Sequence, residues 1–98
     1  TIERCSFGFC TSLKEVILLE GLKEIGVEAF IRCTSLVNVK IPGSVQAIGP
    51  SAFSNCSSLK EVILPEGLKE IDKYVFARCT NLKNVKIPDS VQAIGKWK

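Results

Sequence analysis

The sequence predicts a stacked, β-dominated solenoid, and three observations predict it. A pattern of Cys, Leu, Val and Leu/Ile begins at Cys10 and returns at Cys33, Cys56 and Cys79, with a step of 23 residues each time. A fixed period in this range marks units that cannot bury their apolar side alone and stack to do so. Within each unit the hydrophobic spacing shifts from alternation to a step of three. Finally, Pro and Gly interrupt every unit, which excludes a long amphipathic helix.

One array accounts for residues 1–98. Residues 1–9 are the second half of a unit, because Ile2 stands 23 before Ile25 and Phe7 stands 23 before Phe30. Repeats then start at residues 10, 33, 56 and 79, and the last stops early at Lys98. A longer period lies over the first: residues 10–52 and 56–98 are identical at 30 of 43 positions. Units therefore alternate between two types, the mark of a recent tandem duplication or of a designed array. The chain opens at Thr1 without Met or signal peptide and reads as a mature product or a piece of a longer protein.

In order along a unit, Val16 and Leu18, or Val39 and Ile41, alternate around an intervening residue, the signature of a short strand. Pro42, Pro65 and Pro88 end it. The step from Leu22 to Ile25, repeated at Val45–Ile48, Leu68–Ile71 and Val91–Ile94, predicts a second, shorter strand. Gly26, Gly49, Asp72 and Gly95 then read as N-caps, and Pro50 suits a first helical position. The Ala-Phe-x-x-Cys that follows is too short for a full helix, so one α or 3-10 turn per 23-residue repeat is expected. Stacking aligns Phe7, Phe30, Phe53 and Phe76 in one column and Leu13, Leu36, Leu59 and Leu82 in another. The strands should lie parallel, about 4.8 Å apart, with right-handed crossovers.

Composition excludes several function classes. The net charge of +3 comes without a basic block or interleaved aromatics, so nucleic acid is not an expected partner. No apolar run reaches membrane-spanning length, so membrane insertion is not expected. Histidine is absent, which removes Ser-His and Cys-His catalysis and His-ligated metals. Cysteines 23 apart do not resemble a zinc site, whose ligands come in closely spaced pairs. Cys10, Cys33, Cys56 and Cys79 instead read as a ladder of buried thiols acting as small hydrophobes. Cys5 shares a column with Glu28, Ser51, Tyr74 and Trp97 and reads as an exposed thiol. The glycosylation pattern Asn55-Cys56-Ser57 is read as a chance match. The regularly placed Glu15/Glu61 and Glu24/Glu70 read as solvated face residues rather than a catalytic pair. No catalytic residue, cofactor or metal site is expected.

The face itself is the remaining candidate. The residues between inward positions of the first strand are Glu15, Asn38, Glu61 and Asn84 in one column, and Ile17, Lys40, Ile63 and Lys86 in the next. Two large β-branched side chains would then stand in the open among charges, and exposed apolar area on a repeat face is where partners dock. A second expectation concerns the ends. No capping unit is visible, so the array is expected to associate end to end.

The run Leu36-x-x-Val39-x-Ile41-Pro42-x-x-Val45-x-x-Ile48-Gly49-x-x-Ala52-Phe53-x-x-Cys56 resembles the BspA-type, or treponemal-type, leucine-rich repeat. The resemblance covers nearly the whole chain, with departures at Leu19 for Pro, Asp72 for Gly, and Val75 and Ser6 for Ala. It implies a curved leucine-rich-repeat solenoid, a right-handed superhelix with a parallel sheet on its concave side. It also implies a non-catalytic protein-binding scaffold of a cell-surface or secreted, adhesin-like protein. Two other readings stand beside it: a cytoplasmic scaffold, and a structural or engineered array that assembles through its ends.

Overall fold

The computed structural model describes residues 2–4, 6–83 and 85–94. The chain winds so that equivalent residues of successive units lie side by side. Six short strands result: β1 (Glu24–Ile25), β2 (Asn38–Lys40), β3 (Ala47–Ile48), β4 (Glu61–Ile63), β5 (Glu70–Ile71) and β6 (Ala93–Ile94). They form two parallel sheets, one in the order β1-β3-β5-β6 and one pairing β2 with β4. Every paired residue is 23 from its partner, as in Glu24↔Ala47, Ile48↔Ile71 and Lys40↔Ile63. Isolated bridges Ile2↔Ile25 and Glu15↔Asn38 extend the two sheets toward the N-terminus.

The second, shorter strand of each unit thus forms the larger sheet. The first strand forms fully only in the two middle units. Around Val16–Leu18, expected as a strand, only Glu15 makes a bridge, and residues 85–87 are not in a strand. These are the outermost units, and a strand this short is held by its ladder neighbours on both sides.

The core is a set of parallel columns. Phe30 and Phe53, Leu36 and Leu59, Ile25, Ile48 and Ile71, and Cys33 and Cys56 are all buried. The phenylalanine rings stack face to face at centroid separations of 5.2, 5.1 and 6.0 Å from Phe7 to Phe76. That packing is the consequence of the period: one residue type at one position in each unit must meet itself in the next.

The expected helical turn is not there. No α-helix or 3-10 helix forms among the described residues. After β1 the bonds Ala29 N–H to Gly26 O, Ile31 N–H to Glu28 O and Cys33 N–H to Phe30 O close turns two residues apart. The alternate amides turn outward along the stack: Glu28, Phe30 and Arg32 donate to the Pro50, Ala52 and Ser54 carbonyls of the next unit. A 3-10 helix needs consecutive i→i+3 bonds, and half of those donors are used between units instead. Positive φ at Glu28 (56°), Arg32 (57°), Ser51 (58°), Asn55 (62°), Tyr74 (59°) and Arg78 (59°) marks the third position of type II turns. Gly26 and Gly49, read as N-caps, therefore open a run of turns. Their carbonyls each close a turn, accepting from Ala29 and Ala52.

Candidate functional site

The face read from the first strand is built by β2, β4 and the bridge at Glu15. Val39 and Val62 point into the core, at 2% and 3% exposure. Their neighbours must then point outward, since side chains alternate along a strand. The structure places Glu15, Asn38 and Glu61 in one register and Lys40 beside Ile63 in the next, all exposed. Ile17 is 84% exposed and Ile63 47% exposed, and Lys86 is exposed as well. Asn84 lies outside the described residues. Glu15, Ile17, Asn38, Lys40, Glu61 and Ile63 share one groove of about 230 Å³, and Lys86 does not line it.

Two additions were not read from the sequence. Leu19, which replaces proline in its column, is 73% exposed and lies two residues beyond Ile17 in the sequence. A second groove of about 480 Å³ carries the surface onward from Glu61 and Ile63 to Glu66, Lys83 and Lys86. The signal for Leu19 was present as the missing proline. Nothing in the pattern distinguishes Glu66 and Lys83 from other solvated charges.

Chemically the face is mixed: carboxylate, amide, ammonium and aliphatic groups, open to water. Glu15 and Glu61 are separated by the Asn38 rung, and Glu24 and Glu70 by the Ala47 rung. Two rungs are about 9.6 Å along the stack, so the members of each pair are not adjacent in the ladder. Among the described residues no group of three or more His, Cys, Asp or Glu side chains is placed to hold a metal ion.

The cysteine ladder is buried through Cys33, Cys56 and Cys79, with Cys10 half-buried. These thiols do more than fill space. Cys33 donates to Phe7 O at 3.1 Å, Cys56 to Phe30 O at 3.2 Å and Cys79 to Phe53 O at 3.1 Å. Each thiol thus ties its unit to the turn of the preceding one. Burial pushes the Cys33 thiol above its ordinary value. The neighbouring Cys79 thiol, and then burial, push Cys56 up as well. Cys33 and Cys56 therefore stay protonated at neutral pH and are poor nucleophiles, whereas the hydrogen bond with Cys56 pulls the Cys79 thiol down, against the effect of its burial. Cys5 and Trp97 lie outside the described residues, and in their column Tyr74 is exposed while Glu28 and Ser51 are half-buried. In the sequence Asn55-Cys56-Ser57, Asn55 is half-buried with its amide donating to Ser54 Oγ at 3.2 Å.

A family model described as the BspA type leucine rich repeat region matches residues 1–97 in 6 copies. Among solved structures, the crystal structure of the T. pallidum leucine rich repeat protein is similar, with a TM-score of 0.77 and 41% identity over 83% of this chain and 40% of that one. The crystal structure of a leucine-rich repeat protein from Bacteroides ovatus gives a TM-score of 0.72 and 37% identity, over 96% of this chain and 30% of that one. This chain therefore spans well under half the length of both. No curated protein matches.

Proposed function

The chain belongs to the BspA-type leucine-rich repeat family, and from that premise we propose that it is a non-catalytic scaffold that binds a protein partner on the β2–β4 face. In this reading the superhelix is right-handed and that face is its concave side. The partner belongs outside the cell, and the chain serves as part of a surface-exposed or secreted adhesin-like protein. One observation carries the choice of face. Ile17 and Ile63, at 84% and 47% exposure, line one groove with Lys40, which is paired with Ile63. An exposed β-branched pair next to a cation offers both apolar area and a charge to a partner surface.

The test is retention on a panel of immobilised, purified extracellular matrix proteins. The 98-residue chain is expected to be held by at least one of them. The doubly substituted Ile17→Glu/Ile63→Glu chain should keep its far-ultraviolet circular dichroism and lose roughly 100-fold in affinity, about 1.5 kcal/mol for each isoleucine no longer buried. Equal retention of the double variant would remove this face from the reading. No retention of the parent chain by any matrix protein would remove the adhesin role.

A further inference from the structure

The run of turns is a side of each unit that the β2–β4 face does not use, and its composition differs from that of the face. Arg4, Arg32 and Arg78, all the arginines of the chain, fall in the turns. The β2–β4 columns take their cations as Lys40 and Lys86 and hold no aromatic residue. In the turns Phe9 and Tyr74 stand 62% and 41% exposed. Arginine and aromatic residues are the types enriched where proteins meet, whereas lysine and glutamate are depleted there. We propose that the turn face is a second interaction surface. Its occupant is an acidic segment of a partner protein in the polyproline II conformation, with carboxylates seated on Arg32 and Arg78.

Phe9, Arg32, Asn55 and Arg78 are equivalent positions of successive units. Each takes a positive φ, between 57° and 62°. Phe9, Arg32 and Asn55 donate their amides to Ile31 O, Ser54 O and Ala77 O of the next unit at 2.7–2.8 Å. The backbone of this column is therefore fixed before a partner arrives, which lowers the ordering cost of binding. Arg32 has a unit on each side and is still exposed, so exposure belongs to the column and not to an end of the chain. Its guanidinium lies over the Phe9 ring, 5.7 Å from the centroid. The ring holds the cation but has no oxygen to accept its N–H groups, which stay available to grip a carboxylate with two bonds. Arg78, two rungs further on, is exposed as well. Among the described residues neither guanidinium is in an ion pair.

Spacing and charge together select the occupant. Two rungs are about 10 Å along the stack. A polyproline II chain returns every third side chain to the same side after about 9.3 Å. A segment with an acidic residue at every third position therefore matches Arg32 and Arg78 when it runs along the stack. In a β-strand, residues three apart would point to opposite sides. Polyproline II segments also dock on exposed aromatic rings, which Phe9 and Tyr74 supply. Glu28 and Asp72 lie in the same turns as Arg32 and Arg78, and their charge disfavours a uniformly anionic polymer such as a nucleic acid or a sulfated polysaccharide. A peptide with spaced carboxylates avoids that repulsion.

The experiment follows a fluorescent peptide of Glu-Pro-Pro repeats by anisotropy, with a Gln-Pro-Pro peptide as its uncharged counterpart. The parent chain should bind the first, more weakly as salt rises, and leave the second free. Arg32→Lys with Arg78→Lys keeps the charge but gives up the two-bond grip, and should weaken binding roughly tenfold. Arg78→Lys alone replaces the double variant if circular dichroism is lost. Phe9→Ala, which removes the ring behind Arg32, should weaken binding several-fold. Lys40→Ala, on the β2–β4 face, should leave it unchanged. No binding of the Glu-Pro-Pro peptide, equal binding of the glutamine peptide, or full affinity in the lysine variant would overturn the proposal. Heparin bound more tightly than the peptide, and lost in the same variant, would overturn it in favour of a sulfated polysaccharide.

Discussion

Removing a ring from the phenylalanine column should cost an amount that depends on its place in the stack. Phe53 is 0% exposed and lies between Phe30 and Phe76. Truncating a buried phenylalanine to alanine costs about 3–5 kcal/mol, from lost transfer free energy and the cavity left behind. Phe7 is 41% exposed and has one stacked neighbour, Phe30. Scaling by the fraction still buried gives about 2–3 kcal/mol for Phe7→Ala, and it forfeits one stacking contact of about 0.5–1.5 kcal/mol rather than two. The gap between the two variants should therefore be about 2 kcal/mol. Lys40→Ala, on the exposed face, should stay within about 0.5 kcal/mol. Urea unfolding followed by circular dichroism, in reducing buffer and at a dilution where the chain is monomeric, reads all three. The slope with denaturant should be unchanged, so that the midpoints report stability. Equal costs at Phe7 and Phe53 would mean that the terminal rung is as well packed as the centre. A cost at Lys40 matching that at Phe53 would overturn the inside–outside register.

Cys33 and Cys56 make stability fall with alkali, while Cys79, lowered by its hydrogen bond with Cys56, works the other way. Cys33 and Cys56 are raised in the folded chain, so their contribution is fully present below the unfolded thiol value near 9.0 and is lost as pH rises above it. Cys33→Ala should flatten that loss between neutral and strongly alkaline pH under reducing conditions; an unchanged slope would assign it to other groups. Native labelling should be slow at Cys33, Cys56 and Cys79 and faster at Cys10, and rapid modification of Cys56 would contradict the buried ladder. At Ser51, with φ of 58°, Val should cost about 1–2 kcal/mol and Gly should be near neutral, because a β-branched side chain resists the left-handed region; thermal unfolding that ranks them the other way would show the turn is not held there. Asp72→Gly with Val75→Ala should bring the Phe53 and Phe76 rings from 6.0 Å and 17° toward the 5.1 Å and 3° of Phe30 and Phe53. A Cβ at the equivalent Gly49 would lie 2.9 Å from Val27 N, and ring-current shifts that do not move would place the wider spacing elsewhere.

The register and the core were legible because a period carries its own pairing rule: each residue's neighbour is its equivalent 23 positions away. Ile25 beside Ile48, and Asn38 beside Glu61, follow from counting alone. The turns were not legible. Their left-handed positions hold Glu28, Arg32, Ser51, Tyr74 and Arg78 rather than glycine, and Asn55 alone among those named is of a type that favours that region. What stabilises them is the outward pairing of every second amide with the next unit, a long-range bond invisible within one repeat. The thiols were legible as buried but not as donors, for the same reason: their acceptors are 26 residues away. For the candidate face, alternation was enough to put Ile17 and Ile63 outside. It did not show that Leu19 is exposed too, because its column elsewhere holds proline.

The two-unit period is a structural unit as well as a sequence one. In the first unit Gly21 takes φ of 104° and its amide donates to Ser44 Oγ in the second. The third and fourth repeat this, with Gly67 at φ of 100° and its amide on Ser90 Oγ. Glycine in the odd units supplies the positive φ of the corner turn, and serine in the even units supplies the oxygen that receives its amide. The first pair adds a carboxylate, with Glu20 accepting from Gly43 N and Ser44 N at 2.9 and 3.1 Å. In the second pair Asp89 occupies the place of Gly43 beside Glu66, and like charges disfavour the same approach. Glu66 instead lines the groove that extends the candidate face. The substitution of glycine by aspartate thus bears on the outer surface: a carboxylate used as a staple in one pair of units becomes surface charge beside Ile63 in the other. The exposed columns alternate with the same two-unit step, about 9.6 Å, acid with amide and isoleucine with lysine. A partner lying along the stack therefore meets the same chemistry at every second rung.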